Sequence, residues 1–109
     1  MNKIYNSIIT DNSYTLKLID IDQEERKIAY LGYPLVLTKR EYDIFLLLFD
    51  ADKPMRPNEI ITALNSKKPI DENNIAVHIH HINRKAKMIG NRNIIYERRY
   101  KGYYLCDRP

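Results

Sequence analysis

At 109 residues the chain has room for one domain with a single modest core. A hydrophobic share of 44% and nine tyrosines argue for a folded globule, and the single cysteine, Cys106, excludes both an intramolecular disulfide and a cysteine-based zinc site. The net charge of +4 is unevenly spread: residues 1–60 hold eight Lys/Arg against ten Asp/Glu (−2), and residues 61–109 hold ten against four (+6), a balance that suits a polyanionic partner.

Residues 1–13 are weakly patterned and are expected to be a lead-in or linker, with the domain proper over 14–106. Lys3, Asn6, Asp11 and Asn12 interrupt the apolar residues there, so no signal peptide is expected. No apolar run approaches the roughly 20 residues of a membrane span, and a cytoplasmic location with no membrane partner is expected. From Tyr14 the pattern has period two, with Tyr14, Leu16 and Leu18 on one side. The apolar set then shifts to Ile19 and Ile21, as at a bulge or a change of strand. Asp22 to Glu25 read as a turn, and Lys27–Tyr30 with Tyr33–Leu37 as a hairpin about Leu31-Gly32, where Gly32 can take a positive φ. Residues 14–37 are thus expected to form a small antiparallel sheet.

Thr38-Lys39-Arg40-Glu41 is a capping box, and Tyr42, Phe45, Leu46, Leu48 and Phe49 form the apolar face of a first helix ending near Asp50. Ala51 to Pro54 break it. Pro57, at a first helical position, and Glu59 open a second helix through Ile60, Ile61 and Leu64. After the loop from Asn65 to Pro69, a third helix runs from Asp71 to Lys87, or about 71–88. Its apolar stripe of Ile75, Ile79, Ile82 and Ala86 has the spacing of one buried face, and Asn73, His80, Arg84 and Lys87 occupy the other side. Gly90 to Asn93 read as a turn. The run 94–105 alternates apolar and polar residues on either side of Gly102, as a short hairpin does. A small sheet, three helices and a terminal hairpin, the last helix polar-faced, make an α+β winged helix-turn-helix.

Four motifs in this order carry a resemblance: Leu37-Thr38-x-x-Glu41-Tyr42, Glu59-Ile60, Ile75-x-Val77-His78-Ile79-x-x-Ile82, and Arg99-x-x-Gly102-Tyr103. With the N-terminal sheet, the chain resembles the OmpR/PhoB-type effector domain of bacterial response regulators from about Leu16 to Leu105. The resemblance implies sequence-specific binding of double-stranded DNA by a transcriptional regulator. The third helix would lie in the major groove and the wing, about 94–105, at the adjacent minor groove. It also implies a second copy bound head-to-tail on DNA, and RNA polymerase as a partner of the loop around Asp50–Met55. Three departures stand out. Relatives usually carry Arg at the position of Asn83, which would here cost a phosphate anchor that Asn83→Arg should restore. They often carry an acidic residue where Ala76 stands, and Gly where Tyr100 stands. The receiver domain with its phospho-accepting Asp has no counterpart, so either a fragment of a two-domain regulator or a stand-alone version is expected.

The expected DNA-binding residues are Asn73, Asn74, Val77, His78, His80, His81, Arg84, Lys85, Arg99 and Lys101. Val77 points about 200° away from Ile75, taking about 100° per residue. It is either an ordinary exposed valine or a contact for a thymine methyl. His78 can pack at the edge of the core or donate to DNA, and for His80 and His81 the resemblance favours DNA. Arg84, Lys85 and Lys87 can equally be a solvated last turn, favourable against the helix dipole. The resemblance makes Arg99 the arginine at the minor groove. Three histidines without a cysteine or a suitably placed carboxylate do not make a zinc site, and no metal or other cofactor is expected. With no Gly-rich phosphate loop, no His-Glu-x-x-His and no nucleophile beside a base, the chain is not expected to be an enzyme. The rival function is a winged-helix protein-interaction module with weak or no DNA binding.

Overall fold

The computed structural model describes residues 18–106. The expected lead-in and the strand start at Tyr14 and Leu16 lie outside the described residues. Strands β1 (Ile19–Asp22), β2 (Lys27–Tyr30) and β3 (Tyr33–Pro34) form an antiparallel sheet in that order. The phase shift at Ile19 has a simple outcome: Ile19 faces Tyr30 and Ile21 faces Ile28 across the ladder, and all four side chains are buried. The β1–β2 turn closes with Glu25 N–H donating to Asp22 Oδ1 at 3.2 Å and Arg26 in the left-handed region. Leu31 and Gly32 both have positive φ, 53° and 83°, as a two-residue hairpin turn demands. Strand β3 is shorter than the expected 33–37. Pro34 has no N–H to extend the ladder, and after it Leu35 donates to Ile28 O at 2.8 Å while its side chain enters the core.

Helix α1 (Lys39–Asp50) starts at the expected capping box: Glu41 N–H donates to Thr38 Oγ1 at 3.2 Å and Thr38 N–H to Glu41 Oε1 at 3.0 Å. It packs against the two later helices and the last strand. That wrapping buries more than one stripe, which is why Ile44, outside the expected face, is fully buried beside Tyr42, Phe45 and Leu48. Helix α2 (Pro57–Leu64) begins with Arg56 N–H donating to Glu59 Oε1 at 2.7 Å and ends at Asn65 in the left-handed region. Helix α3 (Glu72–Gly90) is capped by Asp71, whose Oδ1 accepts from Asn74 N–H at 2.9 Å. It runs past the expected end at Lys87 because Ile89 continues the apolar stripe onto the core. Asn91, at φ 65°, then closes it.

Strands β4 (Ile95–Arg98) and β5 (Gly102–Leu105) form the expected hairpin. Ile94 and Ile95 are both buried, so strict alternation fails at its base. Met55, in the α1–α2 connection, pairs with Tyr103 through two backbone hydrogen bonds of 2.8 and 2.7 Å, adding one position to the hairpin's free edge. The whole is a winged helix-turn-helix. One core from both sheets and all three helices holds it together, each fully buried Ile or Phe side chain contributing about 1.5–3 kcal/mol.

Candidate nucleic-acid interface

Burying Ile75, Ile79, Ile82 and Ala86 forces the opposite face of α3 outward. Asn73, Val77 and Arg84 lie on that face, with His80 beside them, and all four are exposed. Val77 is 49% exposed, high for a valine on a helix whose other face is fully packed. Asn74 is exposed too, but its Oδ1 accepts from Asp71 N–H at 3.3 Å, so part of its hydrogen-bonding capacity goes to closing the helix start. His81 is half-buried and turned toward α1, with Nδ1 3.7 Å from Glu41 Oε2.

Two more of the expected DNA-facing residues are engaged with the body of the domain. Lys85 Nζ donates to Glu41 Oε1 at 2.7 Å. Glu41 is 3% exposed, and an uncompensated carboxylate there would be costly, so Lys85 is held where it neutralises the charge. His78 is half-buried, and its Nδ1 lies out of solvent with no hydrogen-bond partner among the described residues. Burial pushes its pKa down, with Arg40 and His81 adding to the effect against the pull of Glu41. His78 is thus held partly against the body of the domain, with Nδ1 withdrawn from solvent.

Glu41 is the pivot of this region and does more than cap its own helix. Burial alone would raise its pKa; the hydrogen bond from Lys85, the Thr38 N–H and the charges of Lys85 and His81 outweigh that, leaving it below the ordinary carboxylate value. A carboxylate of depressed pKa contributes stability that is present above its unfolded-state value and lost as pH falls through the folded-state value. His78 acts in the same direction and begins earlier. The unfolded chain protonates it at the ordinary histidine value, so stability declines once pH drops below that and stops declining below the folded-state pKa. Urea unfolding followed from neutral to acid pH should show both phases. Glu41→Gln should remove the lower one and His78→Gln the upper. Identical pH profiles for parent and variants would contradict these assignments.

Asn83 reverses the expectation attached to it. Its Oδ1 accepts from the N–H groups of Ile94 and Ile95 at 3.0 and 2.9 Å, and its Nδ2 donates to Ile95 O at 2.9 Å. It is not a missing phosphate anchor. It joins the middle of α3 to the base of the wing, fixing how the two elements sit relative to each other. At the other end of the wing, Arg98, Arg99, Tyr100 and Lys101 are all exposed. The turn closes with Lys101 N–H donating to Arg98 O at 2.9 Å. Arg98 lies over the Tyr104 ring, its Cζ 5.3 Å from the centroid. Arg56, absent from the residues expected at the site, donates from Nη2 to Tyr100 O at 3.1 Å and ties the wing tip to the start of α2. Its distance in sequence from the wing left no local signal of that contact.

The site is thus a polar-faced helix with one apolar contact point, rigidly coupled to a hairpin with a basic tip, in the half of the chain that carries +6. No family model matches the chain. It is 33% identical over 96 residues to the response regulator ArlR of Staphylococcus saprophyticus; the match covers 86% of this chain and 44% of that protein's length. Among solved structures it is similar to the DNA-binding domain of the response regulator AdeR in complex with an intercistronic region, with a TM-score of 0.72, 21% identity, and coverage of 86% of this chain and 99% of that one. It is also similar to the DNA-binding domain of Klebsiella pneumoniae RstA in complex with the RstA box, with a TM-score of 0.68, 19% identity, and coverage of 86% and 96%. Those two likenesses carry the fold.

Proposed function

We infer that this chain, an effector domain of the OmpR/PhoB response-regulator type, binds double-stranded DNA sequence-specifically on behalf of a transcriptional regulator. The observation that carries this is the outward face of α3, Asn73, Val77, His80 and Arg84, beside a wing that Asn83 holds in a fixed orientation. An α-helix fits the B-DNA major groove; there Asn73 and Arg84 can read base edges, and Val77 can meet a thymine methyl. His80 and His81 border this face and can donate to phosphates. Arg99 and Lys101 reach the adjacent minor groove. Lys85 and His78 stay with the body of the domain.

Selection of duplexes from a randomised library by the purified chain tests this. A common motif should emerge, and log affinity should fall linearly with log salt, by about 0.9 per phosphate neutralised. Failure to enrich any motif, with binding no stronger than to random duplex, would favour the protein-interaction module. Arg99→Ala should weaken binding by about 1–3 kcal/mol, more where the flank is A·T-rich, because a narrow minor groove concentrates negative potential around an inserted guanidinium. Equal losses on A·T-rich and G·C-rich flanks would reduce Arg99 to a phosphate contact.

Two partners belong to the same proposal. A second copy binds head-to-tail on direct repeats. RNA polymerase meets the loop around Asp50–Met55, where Asp52 and Lys53 are exposed and Met55 is pinned to Tyr103. No helix among the described residues is long and apolar enough to cross a membrane, and a cytoplasmic setting accords with a chromosomal target.

A further inference from the structure

Tyr100 occupies the tip of the wing at φ 65°, in the left-handed region where an L side chain is disfavoured and glycine is not. Its ring is 78% exposed. Among the described residues its one ring contact is Arg99, with Cζ 5.2 Å from the centroid. Packing therefore gives no account of a large aromatic side chain at a strained position. The backbone beneath it is nonetheless firmly held: Arg56 Nη2 donates to Tyr100 O at 3.1 Å, and Lys101 N–H to Arg98 O at 2.9 Å. The ring is thus presented outward from a rigid turn, with the exposed cations Arg98, Arg99 and Lys101 around it. Such a tip has charge to draw a phosphate backbone and an apolar surface to place between two of them.

We propose that Tyr100 is a specificity-determining DNA contact, its ring entering the minor groove edge-on and packing against sugars and base edges. A side chain with two rotatable torsions on a clamped backbone loses little freedom on docking, and apolar side chains inserted in the minor groove are a recurrent way to read its shape. The floor of that groove carries an exocyclic amino group at G·C pairs and none at A·T pairs. The ring therefore favours A·T, and also inosine·cytosine, whose minor-groove edge lacks the amino group. This role rests on the duplex-binding function inferred above and adds to it a residue and a discrimination.

The test uses the full chain and the duplex it selects from a randomised library, rebuilt with A·T, I·C or G·C pairs under the wing. Tyr100→Gly relieves the backbone, so its melting temperature should rise. Its affinity should nevertheless fall about tenfold on A·T and I·C flanks and much less on G·C. Tyr100→Phe, which keeps the ring, should bind like the parent. Unchanged affinity in Tyr100→Gly, an equal loss on all three flanks, or loss of binding in Tyr100→Phe would overturn the proposal while leaving the duplex-binding function intact. A parent chain that enriches no duplex would overturn both.

Discussion

Gly102→Ala is expected to lower stability by about 2–4 kcal/mol and to abolish high-affinity DNA binding. Gly102 has φ +115°, which L residues rarely adopt. A Cβ there would also run into the backbone of the α1–α2 connection, meeting the carbonyl of Met55 and lying 2.6 Å from Arg56 N. Backbone cannot step aside as a flexible side chain can. Either the turn after the wing tip rearranges or the paired hydrogen bonds between Met55 and Tyr103 part. In both cases the basic tip loses its fixed place relative to α3. Urea unfolding and duplex affinity would check this together, and parent-like values for both would contradict it.

Asn83→Ala is expected to cost about 2–3 kcal/mol. The side chain satisfies two N–H groups and one carbonyl at the base of the wing, and Ile94 and Ile95, which own them, are buried. Alanine would leave all three groups without a partner in a region that water reaches poorly. Asn83→Arg should be at least as damaging, because a guanidinium only donates and cannot accept from Ile94 N–H and Ile95 N–H. Its DNA affinity should drop, the opposite of what restoring a phosphate anchor would give. Asn83→Asp should fall between, since a carboxylate accepts from both N–H groups but cannot donate to Ile95 O. Urea unfolding of the three variants, with duplex affinity measured in parallel, would check the order. Tighter DNA binding by Asn83→Arg with stability retained would return Asn83 to the duplex-facing surface.

The contrast at Asn83 shows which parts of the fold are legible in sequence. Features written in neighbouring residues are legible: the box of Thr38 and Glu41, Pro57 and Glu59 opening α2, the four-residue stripe of α3, and Leu31-Gly32 at the hairpin turn. Each depends on contacts three or four residues apart or on local backbone preference. The polar pairings that position the site join distant segments: Asn83 to the wing base, Lys85 to Glu41, Arg56 to the Tyr100 carbonyl, Met55 to Tyr103. A residue type alone says that Asn83 or Lys85 wants a partner. It does not say whether that partner is DNA or the protein's own backbone. The shortening of β3 and the extension of α3 were in principle readable, the first from Pro34 and the second from Ile89 continuing the stripe.

The central claim is that one surface, the outer face of α3 together with the wing tip, meets the duplex. Backbone amide chemical-shift mapping, with the labelled chain titrated by the duplex it selects, tests this most directly. Shifts and line broadening are predicted to concentrate over residues 73–84 and 98–101, while β1, β2 and the buried face of α1 remain unmoved. Perturbations centred on the β1–β3 sheet or the α1–α2 loop, with α3 and the wing silent, would contradict it.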